Sequence, residues 1–171
     1  MKYSKIFKTL IFLILLYSFI GCGKNITESY PFSKCEYIEV ISYESRMNWD
    51  TINGMSKDYY EYSILEKGRM EVFRKNTIEE IRLSNEQNEQ LFDILYKTNC
   101  ITSVAAACYE PRHSFVFYNK EEKPFASIEV CLDCYGSRET KGVKEIEFCD
   151  KKIEKLRNFL ESIGIKHFEE K

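Results

Sequence analysis

The chain has 171 residues, with 25 Lys and Arg against 27 Asp and Glu and a formal net charge of −2. That balance excludes the broad basic surface that nucleic acid or an anionic lipid face requires. Seven Gly and three Pro beside twelve Tyr and twelve Phe also exclude a mainly disordered chain, which has few aromatics and cannot fill a core.

The N-terminus comes first. Lys2, Lys5 and Lys8 precede any acidic residue, an apolar run follows from Leu10 to Ile20 broken only by Ser18, and Gly21-Cys22 ends it. A basic start, a short apolar stretch and small residues at its end predict a secretory signal peptide over residues 1–21. The run falls short of the about 20 apolar residues of a membrane span. Phe19-Ile20-Gly21-Cys22 resembles the bacterial lipobox, with Phe19 in place of the usual Leu. That resemblance implies cleavage before Cys22, lipid on its thiol and acylation, palmitate included, of its new amine. Several acyl chains on one residue anchor stably to a bilayer, whereas one is marginal. Gly23-Lys24 lacks the Asp that holds lipoproteins at an inner membrane, which points to the outer membrane of a two-membrane cell. Residues 22–34 are expected to be a lipidated tether and 35–168 a single domain. Without the three signal lysines, 22 basic residues face 27 acidic ones, and nucleic acid is not an expected partner.

Elements follow in chain order. Tyr37 to Glu44 predicts a strand, and Arg46 to Lys57, with Asn53-Gly54, a loop. Tyr59 to Glu66 and Arg69 to Arg74, on either side of Lys67-Gly68, predict a hairpin. Thr77 to Leu83 is a further strand. Ser84-Asn85-Glu86-Gln87 is a capping-box pattern that opens a helix with Leu91, Phe92, Leu95 and Tyr96 on its apolar face, ending near Lys97. His113 to Asn119 and Pro124 to Leu132 predict a second hairpin, Gly136 to Lys141 a polar loop, and Val143 to Phe148 a strand. Asp150 caps a last helix with Ile153, Leu156, Leu160 and Ile163 on one face, and Gly164 takes its left-handed end with Ile165 packing back. The fold class is α+β, antiparallel sheet with two amphipathic helices. Glu80-Ile81-Arg82-Leu83 and Glu145-Ile146-Glu147-Phe148 lead into helices with similar apolar spacing. Two strands-then-helix halves and simple convergence both account for this.

Six cysteines follow Cys22: Cys35, Cys100, Cys108, Cys131, Cys134 and Cys149. Four of them lie within or beside the second hairpin. The stretches are Cys108-Tyr109-Glu110-Pro111-Arg112-His113, Ile128-Glu129-Val130-Cys131-Leu132-Asp133-Cys134 and Phe148-Cys149-Asp150. They resemble a family of small exported bacterial proteins, many with lipoprotein signals. Its pattern is Cys-Tyr-x-Pro-Arg-His, an apolar Phe-Tyr strand, then Ile-Glu-Ile-Cys-Phe-x-Cys. Val130 and Leu132 depart from it. The resemblance covers the C-terminal third to half of the chain and implies no activity.

A two-residue loop at Glu121-Glu122 places Lys120 opposite Lys123, Phe117 opposite Ala126, Phe115 opposite Ile128 and His113 opposite Val130. The last six of these share the core face. The other face then carries Arg112 opposite Cys131 and Ser114 opposite Glu129, with Arg112 and Glu129 diagonal neighbours in pairing reach. Arg112, Ser114 and Glu129 form the candidate surface patch, and a one-residue slip would exchange the faces.

For Cys108, Cys131, Cys134 and Cys149 the first reading is disulfide staples, Cys131 or Cys134 with Cys108 or Cys149, as export favours. The second is a tetrahedral zinc site, of which Cys-x2-Cys is half the ligand spacing. The third is thiol redox chemistry, with Arg112 and the start of the last helix favouring thiolates. Its drawback is that redox Cys-x2-Cys pairs open a helix, whereas this one ends a strand. The fourth is unpaired thiols.

His113 points inward as a hydrogen-bonded core residue, His167 lies in a charged tail, and the two compose no triad or metalloenzyme motif. Trp49, beside Asn53-Gly54, reads as a core anchor under its loop, with an exposed binding aromatic as the other reading. No catalytic residue and no cofactor-binding residue is assigned. The expected function is a non-enzymatic binding domain of the cell envelope, with a bilayer and an unidentified protein or envelope component as partners. A zinc-binding or thiol-redox domain centred on Cys131 and Cys134 is the alternative.

Overall fold

The computed structural model describes residues 29–46, 62–66, 69–101 and 109–168, with residues 72 and 73 described in their backbone alone. Cys22, Trp49 and Cys108 lie outside these residues. Five strands form one sheet: β1 (Tyr37–Tyr43), β2 (Thr77–Arg82), β3 (His113–Tyr118), β4 (Pro124–Cys131) and β5 (Gly136–Glu139). Their order is β2-β1-β3-β4-β5, and every neighbouring pair is antiparallel. Among the described residues three α-helices occur: α1 (Arg69–Lys75), α2 (Asn85–Phe92), continued by a π-helical turn over Asp93–Lys97, and α3 (Asp150–Ile163). The α+β class expected from the pattern is the one observed.

The helix ends follow local chemistry. Ser84 accepts from the Gln87 backbone N–H at 3.2 Å, and the Gln87 side chain accepts from the Ser84 N–H at 2.8 Å, so both orphan donors are satisfied. Gly164 has φ 106°, a conformation that a side chain would strain. Its N–H bonds to Glu161 O and that of Ile165 to Leu160 O, which closes α3 as a Schellman motif. At the other end, Cys149 rather than Asp150 holds the N-cap position, and its side chain makes no capping bond.

The second hairpin has the expected register from His113↔Val130 to Phe117↔Ala126. Its turn differs. Asn119 pairs across with Lys123, and Glu122 sits at φ 57°, as in a three-residue loop with a type I turn and a left-handed third residue. That loop alone would slip the register by one. The irregularity at Phe117/Tyr118, where Tyr118 pairs with Pro124, absorbs the slip and leaves Phe125 as the extra residue.

Four expected elements change. Residues 69–75 form α1 and not the return strand of a hairpin, because Arg, Met, Glu and Lys are good helix formers and short apolar runs do not separate the two periods. Residues 59–61 of the other expected strand lie outside the described residues, and its described part, 62–66, is a turn closed by the Glu66 N–H on Ser63 O and not a strand. The expected loop over Gly136 to Lys141 supplies β5, whose four residues pair with Ile128 to Cys131. β5 occupies the edge of β4 that Val143 to Phe148 would need. That segment buries Ile146 and Phe148 as its alternation demands but joins no ladder. The two strand-to-helix passages therefore share apolar spacing without sharing structure.

One sheet face meets α2, α3 and the C-terminal segment. Val40, Phe115, Phe117, Ile128, Val130, Leu91, Leu95, Leu156 and Leu160 form its core. Phe32 packs there edge-on against Phe92 and Phe117, in a 3-10 turn at Phe32–Lys34. The domain thus begins inside the stretch expected to be tether. The opposite face meets α1 and residues 62–66. Its apolar cluster of Ile41, Tyr43, Ile64, Val116 and Tyr118 is smaller. With both faces covered, all six residues of β3 are buried.

Candidate functional site

Four of the described cysteines settle into two pairs at disulfide distance. Cys131 pairs with Cys134 at a Cα–Cα distance of 5.1 Å, and Cys100 pairs with Cys149 at 5.6 Å, both within bridging range. The expected links from Cys131 or Cys134 to Cys149 are corrected by this: the turn after β4 brings its own two cysteines together, and the exit of the π turn carries Cys100 to the start of α3. Cys35 is unbridged, with its thiol half-buried and pushed up to about 11, chiefly by desolvation. Cys134 Sγ accepts from the Glu110 N–H at 3.2 Å. Among the described residues, no group of three His, Cys, Asp or Glu side chains is placed to hold a metal ion.

The expected surface patch divides. Ser114 and Glu129 have 0% exposure, and Ser114 donates to Ile128 O at 3.4 Å. Glu129 pairs with Arg46 and not with Arg112. Arg46 Nη1 lies 2.6 Å from Oε1 and 2.8 Å from Oε2, and both side chains are fully buried. Arg112 sits near Glu110 at 3.4 Å and Glu44 at 3.9 Å. The physical reason is the second cover layer: a sheet face expected to meet water instead meets residues 62–66 and α1.

Around Glu129, Tyr43 donates its hydroxyl to Oε1 at 3.2 Å, and Tyr109 donates to the Glu129 carbonyl at 3.4 Å. Arg46 and Arg138 both donate to Tyr62 O, at 3.2 and 3.1 Å. Ser63, Ser127 and Thr140 join their hydroxyls in a chain of 3.1 Å contacts. Burial pushes the Glu129 carboxyl up, while Arg46, Arg138 and the Tyr43 hydroxyl pull the other way. Burial likewise raises Tyr43 and Tyr109, and Glu129 adds to it. An ion pair sealed in this way specifies a packing arrangement and offers no exposed reactive group. Sequence could flag Glu129 as a carboxylate inside an apolar strand, but no local pattern names Arg46 as its partner.

His113 takes the inward position expected for it. It is 2% exposed, and its Nε2 lies 2.8 Å from His167 O, so the neutral ring donates there. Desolvation lowers it to about 4. The C-terminal segment is fastened a second time: Glu79 accepts the N–H groups of Lys166 and His167 and the Ser42 hydroxyl. Phe168 completes the strap against His113, with Arg157 over its ring.

On the outside of the Cys131–Cys134 turn, Arg112, Glu110, Asp133, Arg157 and Phe168 border a cleft of about 10 Å³, room for about one water. A larger cavity of about 500 Å³ lies beside the Cys100–Cys149 bridge, lined by Tyr96, Thr98, Asn99, Lys144, Glu145, Glu147 and Lys152 among others. Sequence reading missed it, because it assembles from the π turn, the unpaired segment before α3 and the first turn of α3. Among the described residues, no helix is long and apolar enough to cross a membrane. Comparison with known proteins finds no matching family model, no matching curated protein and no matching solved structure.

Proposed function

We propose that this chain is an exported lipoprotein, anchored through acylated Cys22, whose α+β domain binds a protein or another component of the cell envelope. The observation that carries the reading is the cysteine arrangement: two pairs at disulfide distance suit an oxidising compartment. That agrees with the signal and lipobox pattern ending at Gly21-Cys22 and with the resemblance to exported bacterial proteins. The outer membrane is the proposed destination. The test is expression in a two-membrane bacterium, with wild type compared to Cys22→Ala. Wild type is expected in the membrane fraction with acyl mass on its N-terminus, and the variant is expected to lose that mass. Two forms that differ in mass only by the substitution itself and partition equally would refute the anchor.

A second reading, thiol redox or metal chemistry at Cys131 and Cys134, has one supporting observation. The Glu110 N–H aimed at Cys134 Sγ would also stabilise a thiolate there. Burial of both cysteines, 3% and 5% exposed, works against exchange with a large partner. Metal content and free-thiol count of the purified chain separate the two readings.

A further inference from the structure

Lys152 belongs to the first turn of α3, and only 4% of it is exposed. Its ammonium donates to Leu95 O at 2.8 Å. That bond satisfies one orphan carbonyl of the preceding helix end, a sound structural use for one of three donors. No carboxylate among the described residues forms an ion pair with Lys152. Burial lowers the proton affinity of its ammonium, Glu147 stands near enough to act as a partial counter-charge and raise it, and Lys144 lowers it further. Lys152 and Leu95 both line the cavity of about 500 Å³, a volume typical of small-molecule sites.

The other charges of the lining fit the same occupant. Lys144, Glu145 and Glu147 stand on the segment before α3 and form no ion pair with each other or with Lys152 among the described residues. Two cations and two anions thus line one space, and among the described residues no two of them close to salt-bridge distance. The walls are fixed in place: the Tyr96 hydroxyl donates to Lys144 O at 3.3 Å, and the Cys100–Cys149 pair joins the exit of the π turn to the start of α3. π turns of this kind recur at functional sites.

We propose that this cavity binds a small zwitterion of the free α-amino-acid class, its carboxylate held by Lys152 and Lys144 and its ammonium by Glu145 and Glu147. The inference goes beyond envelope binding and stands whether or not Cys22 carries lipid, so failure of the anchor test leaves it intact.

The experiment uses the full chain with its bridges intact. Thermal unfolding is followed against the free L-amino acids, with acetate and methylammonium as single-charge probes. At least one amino acid is expected to raise the midpoint saturably by roughly 3 °C or more, and the single-charge probes are expected to do so far less at equal concentration. Lys152→Met should abolish the rise. Glu145→Gln with Glu147→Gln, both exposed positions, should leave the unliganded midpoint unchanged and weaken binding about tenfold or more, a loss of ~1.4 kcal/mol. If Lys152→Met fails to fold, Lys144→Met and the paired Gln variant still decide. The proposal is overturned if no amino acid raises the midpoint, if acetate alone matches the best amino acid, or if the Gln variant binds as wild type does.

Discussion

The two faces of the sheet are covered by different chemistry. The face under α2 and α3 is closed by aliphatic and aromatic side chains from Val40 through Leu160. The face under α1 and residues 62–66 has a smaller apolar cluster beside a sealed polar network built on Glu129 and Arg46. Apolar contacts are non-directional and tolerate repacking. A buried ion pair demands its exact partner, because removing either charge strands the other. The first face therefore supplies most of the stabilisation, and the second fixes how the cover layer sits.

The sharpest way to break this contrast is Arg46→Ala, which leaves Glu129 buried without its cation. It should cost about 3–5 kcal/mol in chemical denaturation. Arg46→Met combined with Glu129→Leu should recover most of that loss, since removing both charges removes the desolvation cost as well. A double variant as unstable as the single one would show that the pair is not what holds the second cover layer.

The bridges extend the comparison. Cys100–Cys149 spans 49 residues and Cys131–Cys134 only 3. Chain entropy alone assigns about 4 kcal/mol to the long loop and about 2 kcal/mol to the short one. Replacing Cys100 and Cys149 by Ser should thus lower the denaturation midpoint more than replacing Cys131 and Cys134. The reverse order would mean that the short bridge holds more than its own turn.

His113 supplies the pH test. Its folded value of about 4 lies below the ordinary 6.5, so the unfolded chain binds the extra proton between these limits. Stability should fall as pH drops from 6.5 to 4, by roughly 3 kcal/mol at ~1.4 kcal/mol per unit. His113→Gln should flatten that part of the stability–pH curve. Glu79 acts in the same direction. Its carboxyl is lowered because the backbone bonds from His167 and Lys166 and the Ser42 hydroxyl outweigh desolvation. Its contribution is present above the ordinary carboxylate range and lost below it. The smallest effect expected is Ser84→Ala, about 1 kcal/mol through loss of the capping box.

What was legible in the sequence divides along the same line. The capping box at Ser84, the Gly164 terminus and the inward run Phe115, Phe117, Ile128 and Val130 are local or periodic signals, and each appears in place. Three features were not legible because they depend on non-local partners. Arg46 reaches Glu129 from 83 residues away. The polar residues of β5 take a strand conformation only because the edge of β4 is beside them. Lys152 gains meaning only once the π turn folds over it. The surface patch failed for a related reason: alternation shows that β3 and β4 have two faces, but not that a second layer covers the outer one.

The proposed lipid anchor and the bridged cysteines are both read out by intact mass. The chain, purified from a bacterial envelope under non-reducing conditions, is measured before and after reduction. The expected result is an N-terminus at an acylated Cys22 and a mass gain on reduction of about 2 Da per bridge, with the two bridges found among the described residues both contributing. An unprocessed N-terminus starting at Met1, with no mass change on reduction, would contradict it.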